Sequence, residues 1–336
     1  MTTADRLPTT TLGPGGIPVG TQGLGCMGMS EFYGPSDLTE SRATLDRALE
    51  LGVTLFDTAD VYGFGHNEEF LSDFVNAERD RVVLATKFGI VRKPEDPSYR
   101  GFDNSPAYIR GAVEASLRRL RIDTIDLYYM HRKDPGVPIE DTVGAMAELV
   151  RAGKVRALGL SEVTGAELRA AHAVHPIAAV QSEWSLFSRD VERTVVPAAA
   201  ELGVAFVPYS PLGRGLLTGS FTGSTDARDF RSSMPRFSGE NAARNAELLG
   251  PLRDIAEARG ITLAQVALAW VHAQAKVRDL AVVPIPGTRS RTRLAANVAA
   301  ATIALTPDEL ATLEPIASRV AGNRYADMSF TSAGRE

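Results

Sequence analysis

The sequence predicts an α/β protein, a single (β/α)8 barrel over residues 1–336, and three observations carry that prediction. Short β-rich apolar runs alternate with longer amphipathic stretches along nearly the whole chain. The helix-to-strand turns are short and built alike, at Leu51-Gly52-Val53, Ala152-Gly153-Lys154-Val155 and Leu202-Gly203-Val204, where each glycine suits the left-handed position that ends a helix. No Gly-x-Gly-x-x-Gly opens the first strand–helix unit, which argues against a doubly wound dinucleotide-binding sheet.

The elements follow in order. Leu12-Gly13-Pro14-Gly15-Gly16-Ile17-Pro18 reads as an N-terminal β-hairpin. Strands are then expected at Thr21–Gly25, Thr54–Asp57, Val82–Lys87, Ile125–His131, Val155–Ser161, Ala178–Ser182, Ala205–Tyr209 and Leu280–Ile285. Helix-length stretches such as Leu38–Leu51 and Ser105–Leu120 lie between them. In the second, Ser105 caps the helix, Pro106 suits its first turn, and Ile109, Val113, Leu117 and Leu120 share one face. Short connections of this kind imply parallel strands with right-handed crossovers, the arrangement of a TIM barrel. Leu216–Arg244, rich in Gly, Ser, Arg and Asp, is expected to be a long loop lying over the barrel mouth. Thr306-Pro307-Asp308-Glu309 is a capping box that opens an extra C-terminal helix, and the tail Asn323–Glu336 follows.

Composition narrows the function. The chain is 44% apolar and 23% charged, with 41 acidic and 36 basic residues and a formal net charge of −5. No basic face stands out, so neither nucleic acid nor an anionic membrane is an expected partner. A single cysteine, Cys26, excludes a disulfide framework and a cysteine-based metal cage. Met1-Thr2-Thr3-Ala4-Asp5-Arg6 lacks the apolar core of a signal peptide, and no apolar run approaches the roughly 20 residues of a membrane span. The expectation is a soluble, cytoplasmic protein, with no oligomeric contact legible in the pattern.

In such a barrel, functional side chains stand at the C-terminal ends of strands. Those ends carry Asp57, Lys87, His131, Ser161, Gln181 and Tyr209, and Tyr62 follows Asp57 in the next loop. Any one of them is an ordinary polar strand end. Converging, they suit proton delivery to a carbonyl. Tyrosine is a feeble acid at its ordinary pKa of about 10. A lysine cation beside it favours the phenolate, and Asp57 keeps that lysine charged and oriented. His131 is placed to donate a hydrogen bond to the same carbonyl oxygen. No side chain supplies hydride, so a cofactor is implied.

These residues fall into an ordered set of motifs: Asp57-Thr58-Ala59 with Tyr62-Gly63, Ala85-Thr86-Lys87, Met130-His131, Gly159-Leu160-Ser161, Gln181-Ser182-Glu183, Tyr209 through Leu217, and Ile285-Pro286-Gly287-Thr288-Arg289. The set resembles the aldo-keto reductases from the hairpin to the last helix. The early Gly25-Cys26-Met27-Gly28-Met29-Ser30 with Phe32-Tyr33-Gly34 resembles the bacterial and plant branch that reduces aromatic and other aldehydes, pyridoxal reductases among them. The resemblance implies NADPH-dependent reduction of an aldehyde or ketone. Tyr62 would be the general acid, Lys87 and Asp57 would tune it, and His131 would orient the carbonyl. It also implies that Ser161 and Gln181 hold the nicotinamide carboxamide, that Tyr209 stacks on the ring, and that Ser210, Pro211, Leu212, Gly213 and Arg214 face the diphosphate. Gly287, Thr288, Arg289, Arg293 and Asn297 would take the adenosine end. Two positions depart from the family pattern: Glu162 stands where many members carry Asn beside the carboxamide, and Ala296 where an acidic residue is frequent. Glu162 is carried as a cofactor contact although a carboxylate only accepts.

Arg289, Arg291 and Arg293 directly follow Gly287-Thr288, which favours phosphate binding over a merely solvated helix start. Met29, Phe32, Tyr33, Phe64, Phe88, Trp184 and Phe187 follow strand ends and suggest an aromatic, apolar substrate pocket, with Met29, Phe32, Tyr33, Phe88 and Trp184 as its lining. His172 and His175 have metal-clamp spacing but no carboxylate in register, and Pro176 ends their helix, so no metal is assigned. Cys26 reads as a buried, inert thiol. The rival from another class is a cofactor-bound regulatory protein on the same fold, as the potassium-channel β-subunits resemble. The presence of all four residues Asp57, Tyr62, Lys87 and His131 argues against it.

Overall fold

The computed structural model describes residues 6–34, 36–221 and 229–336. The N-terminal stretch read for a leader, apart from Arg6, and residues 222–228 of the long loop lie outside the described residues. Strands β1 (Thr9–Leu12) and β2 (Ile17–Gly20) pair antiparallel as the expected hairpin. Then come β3 (Leu24–Gly25), β4 (Leu55–Asp57), β5 (Val83–Phe88), β6 (Ile90–Lys93), β7 (Asp96–Phe102), β8 (Ile125–Met130), β9 (Val155–Ser161), β10 (Ile177–Glu183) and β11 (Ala205–Tyr209). Seven of them form one parallel sheet in the order β3-β4-β5-β8-β9-β10-β11.

The eighth position departs from a regular strand. The segment expected there pairs by one bridge between Phe206 and Val282. Its backbone nevertheless spans the gap. Val283 and Ile285 donate to the carbonyls of Phe206 and Pro208, and the Pro284 carbonyl accepts from Gly23 at 2.9 Å. Pro284 and Pro286 have no N–H to give, so a full ladder cannot form and the ring closes through single bonds.

Alternation along the strands sorts the side chains into two layers. Leu55, Val83, Ala85, Leu127, Tyr129, Ala179, Ala205 and Val207 point inward and pack on Leu12, Ile17 and Val19 of the hairpin, which plugs the N-terminal end. The intervening Phe56, Leu84, Tyr128, Leu158, Leu160, Val180 and Phe206 face the surrounding helices. Inside, Tyr129 needs room, and Gly159 provides it: a Cβ there would fall 2.4 Å from the tyrosine ring.

Helix boundaries follow the sequence signals. Asp37 and Ser105 accept backbone N–H bonds at the starts of helices Leu38–Glu50 and Pro106–Leu120. Gly52, Gly153 and Gly203 take φ of +88°, +74° and +66° at the predicted stops. The capping box at Thr306 opens the extra helix Pro307–Leu313. Two features depart from the sequence reading. The antiparallel hairpin β6–β7 rises from the mouth between β5 and its helix. The long loop ends earlier than expected, because Gly239–Glu247 is already helical.

Candidate active site

The same alternation that fills the barrel with apolar side chains delivers polar ones at its C-terminal rim. Asp57, Lys87, Ser161, Gln181 and Tyr209 keep the inward register of β4, β5, β9, β10 and β11, and His131 follows the last residue of β8. Lys87 is wholly enclosed. Its Nζ donates to Asp57 Oδ1 at 2.5 Å and to the Thr58 carbonyl at 2.7 Å. Gln181 Nε2 donates to Asp57 Oδ2 at 2.8 Å, so both carboxylate oxygens are held. The loop after β4 carries Tyr62 over this pair. Its ring centroid lies 5.2 Å from Lys87 Nζ and 5.8 Å from the His131 ring, the two rings edge to face at 84°. Arg92 braces that loop, bonding Glu31 at 2.9 Å and the Val61 carbonyl at 3.1 Å.

Electrostatics at the site differ from the simplest expectation. Burial, and then the Asp57 charge, hold the Tyr62 phenol well above its ordinary range, while Arg132 and Arg214 pull the other way. Lys87, paired with Asp57 at 2.5 Å, does not offset that rise. Burial, with Arg132 and Lys87, pushes His131 well below the usual imidazole value, so its ring is neutral near pH 7. Burial also lowers Lys87, against the pull of Asp57. The thiol of Cys26 is raised by burial and then by Asp57, and among the described residues it bonds the Leu24 carbonyl, as an inert core group does.

Beyond these four residues the geometry divides. Ser161 Oγ accepts from Arg132 Nη1 at 3.1 Å. Tyr209 donates its hydroxyl to Glu162 Oε1 at 2.7 Å. Glu162 itself, at φ +53°, is bound to the C-terminal tail. Arg324 Nη1 reaches Oε1 at 3.0 Å, Ser332 N donates to Oε2 at 3.1 Å, and Arg335 caps the Glu162 carbonyl at 2.7 Å. Burial disfavours this charge, but Arg324 and Arg132 outweigh it and hold the carboxyl well below the usual carboxylate range. Arg214 turns toward the tail as well, bonding Tyr325 Oη at 2.7 Å and Glu183 at 3.3 Å. The loop behind it is strongly bent, with φ of +48° at Ser210 and +56° at Arg214 and a Gly213-to-Ser210 backbone bond, next to Pro211 and Leu212.

Glu162→Gln is therefore expected to free the tail. A neutral amide cannot pair with Arg324, which keeps Asp190 at 3.0 Å but loses its fully buried partner, and breaking a buried pair costs up to about 3–5 kcal/mol. Hydrogen exchange over residues 324–336 should accelerate and Tm should fall; unchanged protection of the tail would show that its aromatic contacts alone hold it.

On the opposite side of the mouth, a Cβ on Gly287 would meet the Gly25 carbonyl at 3.2 Å, and Thr288 Oγ1 accepts from Ser290 N. Ser290 caps helix Arg291–Ala299, whose face buries Asn297. The three arginines have different lives. Arg289 donates to the carbonyls of Gly28, Tyr33 and Gly34, and so holds the 28–34 segment. Arg291 pairs with Glu40. Arg293 is exposed and makes no side-chain bond among the described residues.

An aromatic chain is drawn from four segments: the loop after β3, β7, the long loop and the tail. Phe32 meets Phe230 at 5.7 Å, Phe230 meets Tyr325 at 6.3 Å, Tyr325 meets Phe330 at 4.9 Å, and Phe330 meets Phe102 at 6.3 Å. Tyr33 stands beside it under Arg231. Three residues expected in the pocket lie elsewhere. Phe88 and Trp184 take the outward register, Phe88 against Tyr128 and Trp184 against Phe206 and Trp270. Met29 packs into the cluster with Leu24 and Leu71. Phe187 is likewise core. His172 and His175 bond the backbone of Ile177 and Pro176, and among the described residues no cluster of metal-ligating side chains occurs. Arg132, Arg324, Tyr325, Phe230 and Phe330 were not singled out from sequence; only Arg132, adjacent to His131, offered a local signal.

The chain was compared with known proteins. The sequence model of the Aldo/keto reductase family matches residues 22–318. Among solved structures, the glycerol dehydrogenase AKR11B4 from Gluconobacter oxydans is 31% identical, with a TM-score of 0.83 over 96% of this chain and 98% of that one. The aldo-keto reductase AKR11C1 from Bacillus halodurans, a holo form, is 28% identical with a TM-score of 0.75, covering 96% and 100%. An aldo/keto reductase from Klebsiella pneumoniae, solved with NADP and acetate, is 28% identical with a TM-score of 0.69, covering 95% and 99%. A nearly closed parallel barrel, a Tyr-Lys-Asp-His cluster at its C-terminal mouth and a family match over most of its length agree: the chain belongs to the aldo/keto reductase family and is an oxidoreductase.

Proposed function

We propose that this reductase uses NADPH to convert aldehydes and ketones, aromatic and apolar aldehydes foremost, into alcohols. The observation that carries the reading is Tyr62 poised beside the Lys87–Asp57 pair and His131. When bound, the nicotinamide supplies the hydride. Tyr62, kept protonated near neutral pH by burial and by Asp57, gives the proton to the carbonyl oxygen. Neutral His131 orients that oxygen by hydrogen bonding, and Asp57, itself held by Gln181, fixes Lys87 behind the phenol together with the Thr58 carbonyl.

The residues present fit a nicotinamide dinucleotide. Ser161 keeps its hydroxyl hydrogen and Gln181 its amide oxygen for a carboxamide, and the ring of Tyr209 offers a stacking face. The bent Ser210–Arg214 segment is suited to a diphosphate. Gly287 leaves a backbone cradle that a Cβ would narrow, ahead of a capped helix N-terminus with Asn297 on its buried face. Glu162 is left out of this set, because its oxygens serve the tail.

Preference for NADPH over NADH rests on Arg293, the guanidinium of this group without a partner among the described residues, with Arg289 shaping the segment beside it. Arg293→Ala should weaken NADPH about tenfold or more and leave NADH nearly unchanged, since only NADPH carries a 2′-phosphate. Arg289→Ala should weaken both, because it releases the 28–34 segment. Fluorescence titration of both cofactors checks this; equal loss for the two cofactors in Arg293→Ala would remove the assignment. Activity itself is tested by loss of NADPH absorbance against a panel that includes 4-nitrobenzaldehyde and pyridoxal. Turnover of at least one aldehyde is expected, whereas bound NADPH left unoxidised by the whole panel would favour a regulatory, cofactor-bound role.

A further inference from the structure

Three guanidiniums converge on the tail side of the mouth, and two of them have carboxylate partners. Arg214 reaches Glu183 at 3.3 Å, and Arg324 reaches Glu162 and Asp190 at 3.0 Å each. Arg132 differs. It is only 7% exposed, yet no carboxylate among the described residues lies within ion-pair distance of it. Its Nη1 donates to the His131 carbonyl at 2.7 Å and to Ser161 Oγ at 3.1 Å, while Nε and Nη2 bond none of the described residues. The faces of Phe330 and Tyr209 stand 5.8 and 6.0 Å from its Cζ, an attraction that offsets part of the cost of burying the charge but supplies no acceptor. Glu162 supplies a negative field nearby, but its oxygens are taken by Arg324, Tyr209 and Ser332. A buried cation with open donors calls for an anion.

Its place in the chain says which anion. Arg132 directly follows His131, and its charge is felt by Tyr62 and by His131. It therefore borders the position of the carbonyl rather than the adenosine end of the mouth. We propose that Arg132 receives a carboxylate carried by the carbonyl substrate, so that the preferred substrates are aldehydes or ketones bearing an acid group on an aromatic or apolar frame. The inference rests on the reductase reading above and sharpens it from apolar aldehydes to anionic ones. The aromatic rim takes the frame, His131 and Tyr62 take the carbonyl oxygen, and the free Nε–Nη2 edge of Arg132 presents two parallel donors to the carboxylate.

The test compares acids with their neutral esters. Wild-type protein is assayed with NADPH and 3- or 4-formylbenzoate against the matching methyl formylbenzoates. A kcat/KM advantage of about tenfold or more is expected for at least one acid, and it should collapse in Arg132→Met. Arg132→Lys, which keeps the charge and loses the fork, should retain an intermediate advantage. The ratio is the readout, because removing a cation beside Tyr62 lowers the absolute rates for acid and ester together. Circular dichroism and NADPH titration establish that each variant is folded, and the wild-type ratio stands without any variant. Equal rates for acid and ester in wild type would overturn the proposal, as would a ratio that survives Arg132→Met. A raised NADPH Kd in Arg132→Met with the acid/ester ratio intact would instead assign Arg132 to the cofactor. If wild-type protein reduced neither acids nor esters nor any other carbonyl, the reductase reading itself would fall, and this inference with it.

Discussion

Tyr62→Phe is expected to lower kcat for carbonyl reduction by about 10²–10⁴-fold while NADPH Kd stays near the wild-type value. The phenylalanine ring keeps the packing against His131 and the contact with Lys87, so what disappears is the proton. Nothing else at the mouth replaces it. His131 is neutral and Lys87 is locked between Asp57 and the Thr58 carbonyl. Steady-state rates with 4-nitrobenzaldehyde, alongside a cofactor titration, separate the two quantities. A variant that kept a tenth of wild-type kcat would mean that another group delivers the proton.

Lys87→Met should reduce kcat almost as far and, unlike Tyr62→Phe, should also cost stability. The methionine leaves Asp57, 4% exposed, with Gln181 as its remaining side-chain partner. Its uncompensated charge then faces the phenol directly and makes Tyr62 a still weaker acid. Breaking a buried pair in this way costs about 3–5 kcal/mol, which thermal unfolding reports as a lowered Tm. Wild-type activity in a destabilised Lys87→Met protein would reduce Lys87 to a structural ion-pair member.

The barrel was legible because its signals are local and repeat. Alternation of period two, glycine stops at residues 52, 153 and 203, and side-chain caps at Asp37, Ser105 and Thr306 each act within a few residues. Lys87 points inward, so Phe88 must point outward; Gln181 and Glu183 share a face, so Trp184 belongs to the helix layer. A place near a strand end is not by itself a place in the pocket; strand register decides which side chains reach it.

The rest of the site depends on contacts that local pattern does not encode. Glu162 meets Arg324 across 162 positions of sequence, and the rings Phe32, Phe102, Phe230, Tyr325 and Phe330 come from four distant segments. Nothing local to Glu162 signals the partners it has in the tail, Arg324 and Ser332. The irregular eighth strand was open to prediction, since Pro284 and Pro286 stand within and beside it. Arg289 and Arg293, equivalent by composition, separate only once the Gly28–Gly34 carbonyls are seen to occupy the first.

Hydride transfer to a carbonyl carbon, with Tyr62 completing the reaction at oxygen, is tested most directly by isotope. Wild-type protein is given NADPH carrying deuterium in both positions at C4, together with an aldehyde it turns over, and the alcohol is analysed by mass spectrometry and NMR. One deuterium on the carbinol carbon of every product molecule is the expected result. NADPH oxidation that yields alcohol without deuterium on that carbon, its hydrogen drawn instead from solvent water, would contradict it.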